Sequence, residues 1–211
     1  MLLAINTAFL NANLGLILDN GERFTRTIDA KSKHSENVLK TIDEMCEEAG
    51  VIFKNIDKVA IVIGPGSFTG IRIGVAIVKA LGAVKENLKI FPITSLELMA
   101  YIYLQNRHEK ICCVLNALSN LFFIAEFDEN GNKVGAEKMV DVLPKDKRLV
   151  ALEGDLNLEN AERVEITSEN FLDYATSIAG KRDGISSESV EPLYIRPSQA
   201  EANLKSVKKN V

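Results

Sequence analysis

The chain has 211 residues, with 25 lysines and arginines against 29 aspartates and glutamates and a net charge of −4. That length suffices for one large domain or two small ones with proper cores. The acidic balance excludes a stand-alone nucleic-acid binder, which needs a basic face, and the lack of tryptophan speaks against a base-stacking platform.

The one basic cluster, LKSVKKN at 204–210, reads as a solvated tail. Cys46, Cys112 and Cys113 have no metal-ligand spacing. The adjacent pair lies in an apparent strand, where side chains alternate between faces, so all three read as buried thiols in a reducing compartment. The opening MLLAINTAFLNANLGLI has no basic region before its apolar residues and meets polar ones quickly, unlike a signal peptide. Arg72 and Lys79 interrupt the best candidate for a membrane span. A cytoplasmic location with no membrane contact is expected.

Residues 2–7 and 14–19 are short, apolar and partly β-branched, and the DNG at 19–21 supplies a hairpin turn. A third strand is expected over 22–29. The period then changes: Val38, Leu39, Ile42, Met45, Cys46 and Ala49 recur at helical spacing, with Ser35 as N-cap and Gly50 as stop. A strand at 59–63, a helix over about 68–85, a strand at 89–93 and a helix from Ser95 follow. The first half reads βββαβαβα.

The second half starts again with strands at 111–117 and 121–127, the turn DENG at 128–131 and a third strand. Short strands at 149–155 and 164–167 precede one good helix, 169–184, with Gly184 at its end. The halves suggest a duplicated architecture, the second helix-poor, divided as 1–105 and 106–211.

Between the strand at 59–63 and its helix stands GPGSFTGIRIG, residues 64–74. A Walker A loop needs lysine and then serine or threonine after the last glycine, whereas Gly70 is followed by Ile71 and Arg72. A dinucleotide fingerprint needs G-x-G-x-x-G and an acidic residue ending the next strand; here the spacing is one residue longer and the strand runs into PITS. Anion binding by helix-start amides stays open. Gly66, Gly70, Gly74, Val78 and Gly82 fall every fourth residue and share a slowly drifting stripe. Each helical glycine costs about 1 kcal/mol against alanine, so something must approach closely. Tight packing within one domain and a second chain are both open on spacing alone.

GPGSFTGIRIG followed by VKAL (78–81) resembles the TsaB (YeaZ) family, as do KHSENVLKTIDEMCEEAG (33–50), ITSLELMA (93–100), LEGD (152–155) and EPLYIRPSQAEAN (191–203). The resemblance covers nearly the whole chain, most specifically residues 33–100, and is weak over 117–148. It implies an α/β protein of the actin-like (ASKHA, ribonuclease H-like) fold, built of two βββαβα-type halves with the second reduced. It also implies a non-catalytic subunit in the synthesis of threonylcarbamoyladenosine on tRNAs that read codons beginning with A.

Its partner would be the paralogous TsaD-type catalytic subunit, joined by a TsaE-type ATPase, with a homodimer when alone and tRNA reached only through the complex. ATP and a metal ion would belong to those partner subunits, and no cofactor to this chain. The first two long helices would form the partner surface, through His34, Val38, Ile42, Met45, Gly66, Phe68, Gly70, Ile71, Gly74, Val78, Lys79 and Gly82. On this reading the glycines admit a partner helix.

Two departures bear on catalysis. The family's first strand ends in an IDT-like sequence and this chain has INT, with Asn6 before Thr7. The second half usually starts with aspartate and arginines, and here it is LNALSNL (115–121), with Asn116. Active members of the wider fold hold metal and phosphate with acids in these loops, and asparagine is an uncharged, weaker ligand for a hard cation. Asn6, Thr7 and Asn116 therefore mark degenerate nucleotide loops. The competing reading is a small ATP-dependent phosphotransferase or ATPase of the same fold.

The two histidines, His34 and His108, are far apart, and the HxxxH or HExxH spacing of a zinc peptidase is missing. The family that the chain resembles also carries the label glycoprotease, and the missing spacing argues against that activity. Ser67 and Thr69 read as helix caps, and His108 as a loop residue. Arg72 and Lys79 are expected to meet Glu44, Glu47 and Glu48 on the preceding helix, or an acidic partner.

Overall fold

The computed structural model describes residues 1–29, 34–117, 120–154 and 160–195, and for 34–36 the backbone alone. The basic cluster at 204–210, the end of the EPLYIRPSQAEAN motif, and the side chains of His34 and Ser35 lie outside the described residues.

Two five-stranded sheets carry the architecture. The first has β1 (Leu2–Asn6), β2 (Ala12–Ile17), β3 (Arg23–Ile28), β4 (Lys58–Gly64) and β5 (Lys89–Thr94), in the order β3-β2-β1-β4-β5. The second has β6 (Ile111–Asn116), β7 (Phe122–Phe127), β8 (Lys133–Val140), β9 (Arg148–Leu152) and β10 (Glu162–Val164), in the order β10-β9-β6-β7-β8. The two orders are the same when β6 is matched to β1 and β9 to β4. In each, an antiparallel meander joins a parallel pair through its first strand. This is the expected duplicated actin-like plan.

β1 and β4 are apolar almost throughout and buried, as central strands covered on both faces must be. Cys112 and Cys113 fall on opposite faces of β6 and enter separate apolar clusters.

The described fold has four α-helices, α1 (His34–Glu48), α2 (Phe68–Val84), α3 (Ser95–Leu104) and α4 (Ser168–Lys181), and short 3-10 turns at Phe53–Asn55 and Ser187–Ser189. α1 is followed by Gly50, whose φ of +65° suits glycine. Its start differs from expectation: the helix already includes His34, so Ser35 stands in its first turn. Ser67 caps α2 by accepting from the amide of Gly70 at 3.2 Å, whereas Thr69 lies inside the helix. Thr94 and Glu97 form a reciprocal cap on α3.

α4 stops at Lys181, three residues short of Gly184. That glycine is needed for closeness, because a Cβ there would stand 2.8 Å from Cβ of Lys89. The helices interlock the halves. α3 follows the first sheet and packs Leu96, Met99, Ala100 and Tyr103 into the core of the second. α4 follows the second sheet and packs Phe171, Leu172, Ala175 and Ile178 into the core of the first.

Candidate functional site

The glycine stripe faces inward. A Cβ on Gly66 would collide with the backbone carbonyl of Ala8, and one on Gly70 with that of Thr7. A Cβ on Gly74 would lie 2.6 Å from Oγ1 of Thr7 and 2.8 Å from Cδ1 of Ile61. The turn after β1 is thus pressed on the start of α2, and the Thr7 hydroxyl fixes it by donating to the Gly70 carbonyl at 2.7 Å. At the other end, Gly82 lies against Ser187.

These contacts correct the reading of the stripe as a seat for a partner helix: the chain fills that space itself. Val38, Ile42, Met45, Ile71 and Val78, expected at the partner surface, are likewise buried in the first core.

A strap over residues 185–195 runs along one further side of α2. Ile185 and Ile90 exchange two backbone hydrogen bonds, the Leu193 amide donates to Ile63, and Glu191 pairs with Lys79 at 2.7 Å. At the strap's end Arg72 donates from Nε to the Tyr194 hydroxyl at 2.8 Å and stacks on Phe68, 3.9 Å from its centroid. Arg72 and Lys79 therefore meet the strap and not the carboxylates of α1, where Glu48 pairs with Arg26 and Glu44 with Lys40. The motif containing Tyr194 is visible in the sequence; its partner, more than a hundred residues upstream, is not.

What α2 leaves outward is a different stripe. Thr69, Ala76, Ala80 and Ala83 are exposed and Ile73 half-exposed, all on one helical face. Phe68 and, on α1, Leu39 are also exposed, by 40% and 47%. Alanines replace the glycines as the outward small residues.

Between the sheets, at the carboxyl ends of β1, β4, β6, β9 and β10, lies a cleft of about 800 Å³. Open α/β sheets bind ligands at such ends. Its walls include Phe9, Leu10, Leu115, Phe123 and Ile166; Asn11, Asn13 and Asn116 add amides, and Glu153 and Glu165 carboxylates, with no lysine or arginine among the described residues of the lining.

Of the three degenerate-loop residues, only Asn116 reaches this cleft. Asn6 is fully buried and accepts from the Ala8 amide at 3.1 Å while its Nδ2 donates to Oδ1 of Asn13 at 3.3 Å. Asn13 passes the connection to Ser168 at the head of α4, at 3.3 Å, and Ser168 donates to the Arg26 carbonyl at 2.7 Å. Asn6 and Thr7 thus tie β1 to β2, α4 and α2, a structural use that a strand-end motif does not announce. Among the described residues no cluster of histidine, cysteine, aspartate and glutamate has metal-binding geometry, and no helix is long and apolar enough to cross a membrane.

A family model described as TsaD, tRNA N6-adenosine threonylcarbamoyltransferase, matches residues 28–183. The chain belongs to this family. Within it, the chain falls with the TsaB (YeaZ) proteins. It is 25% identical to the tRNA threonylcarbamoyladenosine biosynthesis protein TsaB of Escherichia coli strain K12, over 80% of this chain and 83% of that one. With the Haemophilus influenzae protein of the same name it shares 29% identity over 59% of its length, spanning about half (52%) of that relative. The solved structure of YeaZ from Pseudomonas aeruginosa superposes with a TM-score of 0.73 at 19% identity, covering 92% of this chain and 98% of that one, which shows a shared fold.

Proposed function

We propose that this chain is a non-catalytic partner subunit in the making of threonylcarbamoyladenosine on tRNA, and that it acts by docking on a TsaD-type catalytic subunit. The observation that carries this reading is the outward face of α2: Thr69, Ile73, Ala76, Ala80 and Ala83 form a small, uncharged stripe that no part of the described chain covers. Small side chains let a second helix approach closely; a stable interface buries about 1,200–2,000 Å², and the exposed Leu39 and Phe68 extend the seat beyond the stripe. A homodimer would use the same face when the catalytic subunit is missing.

The cleft supports the non-catalytic half of the proposal. The described lining offers two carboxylates and no basic side chain, an unfavourable field for the phosphates of a nucleotide. Asn6 and Thr7 are committed to internal hydrogen bonds. ATP and its metal ion are assigned to the partner subunits, including a TsaE-type ATPase, and tRNA is reached through the assembled complex.

Reconstitution tests the proposal. TsaD-type and TsaE-type proteins of the same organism, tRNA, ATP and a threonylcarbamoyl donor are combined with and without this chain, and the modified nucleoside is measured by mass spectrometry after digestion. Product that depends on this chain supports the role. Undiminished product without it contradicts the role, and ATP turnover by this chain alone favours the phosphotransferase reading.

A further inference from the structure

We propose that the interlobe cleft is the docking site of the chain's own residues 200–211. The described strap ends beside the cleft: Tyr194 lies against Phe68, with ring centroids 5.4 Å apart, and the neighbouring Ser67 and Gly66 line the cleft. From Ile195 to Leu204 is nine residues, which reach about 30 Å when extended, ample to enter an opening that begins beside Phe68.

The chemistry of seat and occupant is complementary. Leu10, on the rim, is 78% exposed, the most of any large apolar side chain among the described residues; Phe9, Phe123 and Ile166 continue the apolar wall. Glu153 and Glu165 add two exposed carboxylates. After one carboxylate, Glu201, the segment supplies Leu204, Val207 and Val211, interleaved with Lys205, Lys208 and Lys209. Apolar side chains meet the wall, while ammonium groups meet carboxylates in a lining whose described residues include no cation.

The other acidic surface, on α1, fits less well, since Glu44 and Glu48 already pair with Lys40 and Arg26. A free phosphate ligand would face the two carboxylates with no basic side chain among the described lining residues. The inference stands independently of the proposed partnership.

A nitroxide on Ser206→Cys tests it in the full-length chain. Cys46, Cys112 and Cys113 are buried and remain unlabelled. The expected result is loss of amide cross-peak intensity at Phe9, Leu10, Phe123 and Ile166, recovered in Glu153→Gln/Glu165→Gln with the rest of the spectrum unchanged. Full intensity at these amides, or loss concentrated on the outer faces of α1 and α2, overturns the proposal. So does equal loss when spin-labelled chain is mixed with isotope-labelled unmodified chain, because the occupied cleft would then belong to a second copy.

Discussion

Thr7 and Gly70 hold each other in two ways: the Thr7 hydroxyl donates to the Gly70 carbonyl at 2.7 Å, and the Thr7 carbonyl occupies the space where a Gly70 side chain would begin. The obstacle is backbone, which has no flexible end to swing aside. Gly70→Ala is therefore expected to destabilise the fold by about 1–3 kcal/mol, the usual range for overpacking, as a lower midpoint in urea unfolding.

Gly82 makes the contrasting case, because its obstacle is the Ser187 side chain. Gly82→Ala alone is expected to destabilise, and Ser187→Gly in the same chain to restore most of the loss. The double-mutant cycle measures that coupling directly. Additive effects would mean that the strap does not lie on α2 as described.

The glycine spacing is legible in the sequence, but its meaning is not. A stripe at every fourth residue says that something comes close. What comes close are Thr7 and Ala8, far upstream, and Ser187, far downstream, and helical periodicity carries no information about either. Arg72 illustrates the same limit. Its nearest acids in the preceding helix are on α1, yet it stacks on Phe68 and lies over the Tyr194 ring.

By contrast, the strands of both sheets and α2 are readable, because alternation, apolar runs and turn residues are local signals. The cleft is readable only in part: Asn116 lines it, while Asn6 and Thr7, just ahead of the lining residues Ala8 and Phe9, are buried.

Asn6→Asp tests the structural use of that asparagine. The position is fully buried, and a carboxylate there would meet the Asn13 oxygen that the Asn6 amide now satisfies. Burial disfavours the charged form, so the folded-state pKa of the new acid should rise above the unfolded value of about 3.9. Stability is then retained at low pH and lost as pH rises from that value towards the raised one. Denaturation of the variant at about pH 4 and pH 7 should show the larger deficit at the higher pH, on the order of 2 kcal/mol or more. An equal deficit at both would show that the introduced carboxylate is solvated.

The buried thiols make a second pH prediction. Burial pushes Cys112 up to about 11 from an ordinary value of 9.0, and Cys113 well above it. Unfolded thiols ionise first, so their contribution to stability is complete below the ordinary value of 9.0 and falls as pH rises towards 11. Cys112→Ala should flatten that fall. Near neutral pH the native chain should react only slowly with a chromogenic disulfide reagent and release three equivalents once unfolded, one for each cysteine. Fast reaction of any thiol in the folded chain would contradict the burial.

The outer face of α2 carries the central claim, and light scattering coupled to size exclusion tests it most directly. The chain is run with the TsaD-type protein of the same organism, as wild type and as Ala80→Arg, with circular dichroism confirming that the variant is folded. A wild-type heterodimer that Ala80→Arg abolishes is the predicted result. No complex with the wild type, or one that survives both Ala80→Arg and Ala76→Arg unchanged, would contradict it.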